Sequence, residues 1–526
     1  MLYLILAVII SAEANSLRRR GDGIFIPEFR FHSASSAFMP SSSSMLKSAR
    51  NLSALYLSAF ALLSLLLLSS CAGSGENRQD AGTSRSHQMG HPEVLARVSS
   101  FFSDENEPVA DVTVELPHQH LIFRTRDGQR FAEVRLQISF RALQEGEDGD
   151  EAPGSLVKRS SERLFIEADD DPSGGQKEFV KRQALPPGRY AVDVSATDLS
   201  SGNTSRVTLQ VQIPDPEGAV ASNSDIKVLL SGEGGRRSVS SYLIPAARDS
   251  LMFEFFVTRQ PGHEPVDLSM RLVRFRSDTD PARAMGDLPL NSGSIAFRGI
   301  DYSEREVIQQ QERRLEDETG AVLINYGFSM PERGNYRFEI ELTTADSLGQ
   351  EVSTSTFRDF GIVSPGFPAI SSTQEMAAPL KYLMRRRDYR RLMEIEDTDS
   401  LRLAVERFWL EDMNQEQARR QIQRYYTRVE EANRMFSSFK EGWKTDMGMV
   451  YIMMGPPLRV DQRIDAIVWY YGHNQFDPTS VMVFERPRAT GRAWPFTHHV
   501  LVRNRFYQTL EIERIGDWTS GRISRP

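Results

Sequence analysis

The sequence predicts a multidomain chain of two all-β sandwiches followed by an α+β domain, its helices first and then a small antiparallel sheet. Three observations predict it. Apolar and polar residues alternate along short stretches between about 108 and 364, the period of half-buried strands. The stretch 185–203 has a counterpart at 330–350, so one β unit is followed by a second of its kind. Near residue 374 the apolar spacing lengthens to that of a helix.

Residues 1–70 read as a leader. Lys47 and Arg50 precede an apolar run from Leu52 to Leu68, which ends in Leu68-Ser69-Ser70-Cys71. A basic start, an apolar middle and small residues at the end are what export machinery recognises. The run is at the short end of what crosses a bilayer about 30 Å thick. The tetrapeptide resembles a bacterial lipobox, which implies cleavage before Cys71 and lipidation of its thiol. Met1 to Ala14 is a second apolar segment without a basic stretch ahead of it, so translation is expected to start at Met45, with Met39 as the alternative. Several acyl chains on one residue give firm membrane attachment. Ala72 carries no acidic retention signal, so the expected location is the cell envelope, on the outer membrane.

Removing residues 1–70 leaves 456 residues with a net charge near −11, enough for about three domains. The acidic balance excludes nucleic acid as a partner. Cys71 is the sole cysteine, so no disulfide forms within the chain and packing must hold the domains together. Residues 71–107 are expected to be the lipidated cysteine and a flexible tether, because 72–92 are small, polar and rich in Gly and Ser.

The first sandwich is expected over 108–214. Val112, Val114 and Leu116 alternate, as do Val134, Leu136, Ile138 and Phe140, then Tyr190, Val192, Val194 and Ala196, then Val207, Leu209, Val211 and Ile213. The second is expected over 225–364. Tyr190 and Tyr336 follow equivalent Pro/Gly turns, Leu185-Pro-Pro-Gly188 and Met330-Pro-Glu-Arg-Gly334. A turn followed by Gly-x-Tyr and a strand resembles immunoglobulin-like bacterial envelope modules, and implies a tyrosine hydroxyl tied to nearby backbone. Residues 301–318 are strongly charged and are expected to form a short helix or a mobile loop inserted in the second sandwich.

The last domain is expected over 374–520. Leu401, Val405, Phe408 and Trp409 share one helical stripe, and Ala418, Ile422, Tyr426, Val429, Ala432 and Phe436 another. Asn414 and Gln417 are spaced as a capping box. Strands are expected at Val450–Met454, Ala466–Tyr471, Val481–Phe484 and Val500–Val502. An ordered set of residues lies among them: Gly442-Trp443-Lys444-Thr445-Asp446, Gly448, Tyr451, Gly455-Pro456-Pro457, Trp469 and Tyr470. With Phe408-Trp409 and the Tyr425–Phe436 helix upstream, this resembles the GWxTD-domain family of bacterial exported proteins. Met447 departs from the usual Arg after the motif. The resemblance brings no established enzymatic activity.

Two roles are open to the signature. Trp443 and Trp469 can pack a helix–sheet interface, Thr445 and Asp446 can cap a turn, Gly448 and Gly455 can allow tight turns, and Pro456-Pro457 can fix the exit. Alternatively Asp446 is the acid/base of a pocket walled by Lys444, Trp443 and Tyr451.

Other constellations point to no cofactor or metal. His118 and His120 share a strand face with no third ligand. His498 and His499 face opposite ways. Asp169-Asp170-Asp171 lacks the carboxylate a calcium loop needs at its twelfth position, which is Val180. Arg385–Arg391 is expected as a helix face paired with Glu394 and Glu396. The expected function is non-catalytic binding or assembly, with the membrane and an envelope protein as partners. An envelope hydrolase of cell-wall or polysaccharide substrates with a site near the GWKTD loop, and an accessory subunit of a secretion or assembly complex, are the alternatives.

Overall fold

The structure, a computed structural model, describes residues 77–523 apart from short stretches, of which 169–175, 289–298, 473–479 and 488–495 are the longest. The leader, Met45, Cys71 and Asp169–Asp171 lie outside the described residues. Among those described, no helix is long and apolar enough to cross a membrane. The fold is mostly β, with several sheets, followed by a helical region that carries a small antiparallel sheet.

The first β unit comprises β1 (Val94–Phe102), β2 (Pro108–Pro117), β3 (Gln129–Glu145), β4 (Glu151–Glu167), β5 (Gln176–Ala184), β6 (Gly188–Asp198) and β7 (Thr204–Ile213). One sheet runs β1-β2-β5 and the other β7-β6-β3-β4. In β7 buried and exposed residues alternate without a break, and Val207, Leu209, Val211 and Ile213 meet Val112, Val114 and Leu116 of the other sheet in one core. Each such side chain contributes roughly 1.5–3 kcal/mol on burial. The expected tether to residue 107 is corrected here. Val94, Ala96 and Val98 are buried in that core and β1 pairs with β2 from Leu95 to Phe102. The small polar segment ahead of it is not a free tether either: Asn77–Gln79 pairs with Ser355–Phe357 and Thr83–Ser86 with Val94–Arg97, and no apolar alternation marks these strands because it starts at 94.

The second unit repeats the arrangement in β8 (Lys227–Gly232), β9 (Ser250–Arg259), β10 (Val266–Ser277), β11 (Ile300–Leu315), β12 (Gly320–Ser329), β13 (Gly334–Ala345) and β14 (Glu351–Val363). Its sheets contain β8-β9-β12 and β14-β13-β10-β11, the orders of the first unit, and add short strands of their own: Ser222–Asn223 on β9, Gly235–Val239 on β8, and Leu243–Pro245 and Asn77–Gln79 on β14. Phe253 stacks on Phe338 across the two sheets with centroids 4.2 Å apart. The tyrosine hydroxyls behave as expected: Tyr190 donates to the Pro186 carbonyl at 2.8 Å and Tyr336 to that of Glu332 at 2.9 Å. Asp225 joins the two units, accepting from the Ser100 amide at 2.7 Å and its hydroxyl at 3.0 Å.

The charged segment 301–318 is neither helix nor loop. It is β11, an edge strand paired with β10 and exposed along almost its whole length. Backbone bonds to one neighbour hold it, so no apolar alternation is needed.

The helical region contains α1 (Thr373–Ala377), α2 (Arg386–Met393), α3 (Thr398–Leu410), α4 (Gln415–Phe436), α5 (Asp446–Met454) and α6 (Phe506–Thr519). Its sheet is β15 (Arg459–Gln462), β16 (Ala466–Tyr470), β17 (Val481–Glu485) and β18 (Val500–Leu501), in that order and antiparallel. The capping box at Asn414 and Gln417 is formed. On α2, Arg387 pairs with Asp388 at 3.6 Å. Val450–Met454 is helix, not strand: α5 is buried on all sides, and a continuous apolar run does not tell the two apart.

Candidate functional site

Most of the signature builds a knot between α4 and α5. A Cβ on Gly442 would stand 1.8 Å from the Ala432 carbonyl oxygen, and one on Gly448 1.9 Å from that of Gly442. Gly448 therefore sits inside a helix against another backbone, not in a turn as expected. Asn433 fastens the knot, accepting from the Trp443 amide at 3.1 Å and donating to the Pro368 carbonyl at 3.0 Å. Thr445 caps α5, its hydroxyl accepting from the Gly448 amide at 3.0 Å while donating to the Gly442 carbonyl at 2.8 Å. Tyr451 donates to Glu431 at 2.9 Å. Trp469 packs edge-on to Phe484 and lies 5.3 Å from Phe436 on α4. Arg459 lies 4.0 Å over the Tyr470 ring. Gly455 ends α5 with φ 85°, and the chain leaves through exposed Pro456 and buried Pro457.

Asp446 does not stand free in a pocket. Arg503 grips it through two bonds of 2.6 and 2.9 Å, and the Leu501 amide donates to it at 2.8 Å. The same guanidinium donates to the carbonyls of Arg283 and Ala284, both at 3.1 Å. Those carbonyls belong to the loop between β10 and β11. Lys381 donates to Pro281 of that loop at 3.0 Å, Lys440 to Asp280 at 2.7 Å, and Glu511 accepts from the Met285 amide at 3.1 Å. Ala282 and Met285 are buried in the core of the helical region. The signature aspartate thus orients a clamp that locks the second β unit to the C-terminal region. Arg503, Lys440 and Glu511 escaped sequence reasoning because no motif marks them; they converge only in space.

Beside the clamp lies a cleft of about 780 Å³. Its walls are the end of the β14-β13-β10-β11 sheet and the loop ahead of α5. Arg274, Arg276, Arg305, Arg333, Lys440 and Lys444 line it, against three carboxylates, Glu304, Glu306 and Glu441. Phe275, Val363 and Phe439 supply apolar wall. Phe275 pairs with Arg305 but Arg276 with Asp301, so Tyr302, Ser303 and Glu304 bulge out of the ladder, a device that re-aims side chains. Of the pocket expected around Asp446, only Lys444 lines this cleft; Asp446, Trp443 and Tyr451 are buried elsewhere.

Ser438 and His498 meet at 3.1 Å between Oγ and Nδ1. Burial, with the Lys440 cation adding to it, lowers His498 to about 3. The pair has the elements of a nucleophile and base, but the residues are 1% and 7% exposed, which leaves no room for a substrate carbonyl. His499 is lowered to about 4, chiefly by burial. His118 and His120 occupy one 3-10 turn rather than a strand, and His120 faces Glu93 at 3.1 Å. Among the described residues no group of three metal-ligating side chains assembles.

This knot of Gly442, Trp443, Thr445 and Asp446 lies inside the stretch that matches a known domain. Residues 347–520 are a GWxTD domain. The match begins ahead of the expected residue 374 and so takes in β14, the strand beside the clamp. No curated protein matches the chain. Similar solved structures include red sea bream transglutaminase, with 11% identity, 54% of this chain and 31% of that one covered, and a TM-score of 0.16. Dimeric latent PorU from Porphyromonas gingivalis shows 12% identity, coverages of 52% and 20%, and a TM-score of 0.20. Salmonella alpha-2-macroglobulin reacted with methylamine shows 15%, 54% and 17%, and 0.16. The chain spans less than a third of each of these proteins.

Proposed function

We propose that this chain is a non-catalytic binding protein of the bacterial cell envelope, anchored through lipidated Cys71 and held on the outer membrane. In this reading the two β units are immunoglobulin-like sandwiches that hold the GWxTD domain away from the membrane. A protein partner binds in the cleft between the second sandwich and the GWxTD domain. The single observation that carries it is the cleft itself: both modules wall it, and the Asp446–Arg503 clamp fixes the angle between them. A concave site with convergent polar groups is where a ligand is expected. The buried roles of the signature residues favour binding over catalysis.

The test is site-specific photo-crosslinking in cells from Thr279, an exposed residue on the cleft wall, with and without Cys71→Ser. A discrete protein adduct that requires Cys71 is expected. Absence of any adduct from Thr279, with the protein still in the membrane fraction, would sink the reading. A second reading, an accessory subunit of an assembly complex, is favoured by apolar side chains on the helices of the GWxTD domain. Phe506 and Ile512 on α6 are 51% and 63% exposed, and such residues suit a docking face.

A further inference from the structure

We infer that the occupant of the cleft is an acidic peptide segment, bound in extended form along the outer edge of β11. This rests on the reading of the cleft as a binding site and adds the chemistry of its ligand.

Charge points to the sign of the ligand. Six cations and three carboxylates line the cleft, on a chain whose net charge is −8. Cations are thus concentrated here on an acidic chain, and exposed guanidinium groups such as that of Arg276 draw anions to this place. Five of the six pair with carboxylates, Arg274 with Glu332, Arg276 with Glu304, Arg305 with Glu339, Arg333 with Glu375 and Lys444 with Glu441, and the most exposed of these pairs is the one a ligand displaces. Arg276 meets Glu304 at 3.0 Å with the two side chains 75% and 55% exposed, and Arg305 meets Glu339 at 2.8 Å. An exposed pair such as Arg276–Glu304 contributes little, so a ligand carboxylate exchanges for Glu304 at small cost, while Glu339 is only 15% exposed and stays with Arg305 and Arg271. Lys440 bonds a carbonyl oxygen, that of Asp280, which leaves two of its three N–H groups for other acceptors.

The backbone points to the class. β11 is 16 residues long and pairs with β10 on one side; among the described residues no strand lies on its other side. At the cleft the bulge at Tyr302–Glu304 turns main-chain groups away from β10. An extended peptide satisfies such an edge by adding a strand, with its alternate side chains reaching the cations. Beyond the cleft the same edge carries exposed Val307 and Ile308, which suits apolar residues after the acidic ones. An acidic glycan or a phosphate meets the charge but leaves the edge unused.

The probe is a fluorescein-labelled octapeptide of alternating Glu and Val, titrated by anisotropy against the detergent-solubilised full chain. Saturable binding is expected. Arg276→Glu with Arg305→Glu is expected to weaken it about tenfold or more, since like charges then face the ligand. Both residues are solvent-exposed, so the fold should survive, and Arg276→Glu alone, whose partner Glu304 is 55% exposed, should weaken binding with Tm unmoved. Methylating alternate backbone nitrogens of the peptide should weaken it to a similar degree. Equal binding of a Lys/Val peptide overturns the charge argument, and indifference to N-methylation overturns strand addition. Displacement by oligogalacturonate from the wild type and not from the charge-reversed variant would assign the site to glycans instead. If the peptide fails to bind while the Thr279 adduct persists, the ligand chemistry is wrong and the cleft reading stands. If the peptide binds and no adduct forms, it is the reading of the cleft as the cellular site that falls.

Discussion

The Arg503 and Asp446 side chains are only 6% and 9% exposed, and at that depth an ion pair acts less as a source of stability than as a constraint. Its Coulomb attraction is offset by desolvation of both charges, but removal of one partner leaves the other buried and unpaired. Asp446→Ala is therefore expected to cost about 3–5 kcal/mol, read as a lower urea midpoint. Retention of the wild-type midpoint would mean that Arg503 finds another partner. Gly442→Ala is expected to be worse, because no rotamer relieves a Cβ placed 1.8 Å from a carbonyl oxygen; soluble expression reports it. His498 sets an acid limit. Held neutral down to about pH 3 in the fold, it takes up a proton near 6.5 once unfolded. The unfolded state thus binds the extra proton between those values, so stability falls as pH drops from 6.5 towards 3, by up to roughly 4 kcal/mol. Ser438, Lys440 and Asp446 surround the ring, and none supplies it with a proton acceptor strong enough to reverse the sign. His498→Phe should flatten the urea midpoint against pH over that window; an unchanged slope would place the acid sensitivity elsewhere.

Individual elements show what the sequence could and could not carry. Strands such as β2, β3, β6 and β7 were legible because one face of each is buried and the other wet, which writes a period of two into residues such as Val207, Leu209 and Val211. α4 was legible for the matching reason at period 3.6, with its cap spelled out by Asn414 and Gln417. Three elements were not. β11 has no buried face, so its composition resembles that of a loop or a surface helix. α5 is buried all round, so its residues carry no period at all. α6 buries Tyr507 and Trp518 yet exposes Phe506 and Ile512, which scrambles its stripe. The site divides the same way. The motif residues were visible as a set, but their jobs were not, because Arg503 and, through it, the 278–288 loop reach Asp446 from distant parts of the chain. The end of α5 can be tested. Gly455 has φ 85° and a Cβ there would meet Arg428 at 2.7 Å. Gly455→Ala should lower stability by about 1–3 kcal/mol, from backbone strain and the displaced guanidinium together. A loss below measurement error in chemical denaturation would mean that Arg428 yields freely.

At the scale of the molecule, the clamp makes two modules into one mechanical body. The loop between β10 and β11 belongs by sequence to the second β unit, yet Ala282 and Met285 complete the core of the GWxTD domain. Cations of that domain hold the carbonyls of Asp280, Pro281, Arg283 and Ala284. Neither module therefore satisfies its own surface alone: without the GWxTD domain Met285 is exposed, and without the loop Lys440 loses the Asp280 carbonyl and Arg503 those of Arg283 and Ala284. Folding of the two should be coupled, so that residues 225–523 melt in a single calorimetric transition. Asp446→Ala should split that transition, because the freed Arg503 no longer fixes the loop while the aromatic core of each module stays intact. The earlier-melting part should be the GWxTD domain, whose core has an opening where Met285 sits. Limited proteolysis supplies the independent readout, with new cleavage inside 278–288 in the variant and none in the wild type. A variant that still melts as one unit, with the loop protected, would show that apolar contact alone joins the modules. Asp446 would then serve the local cap of α5 and nothing larger.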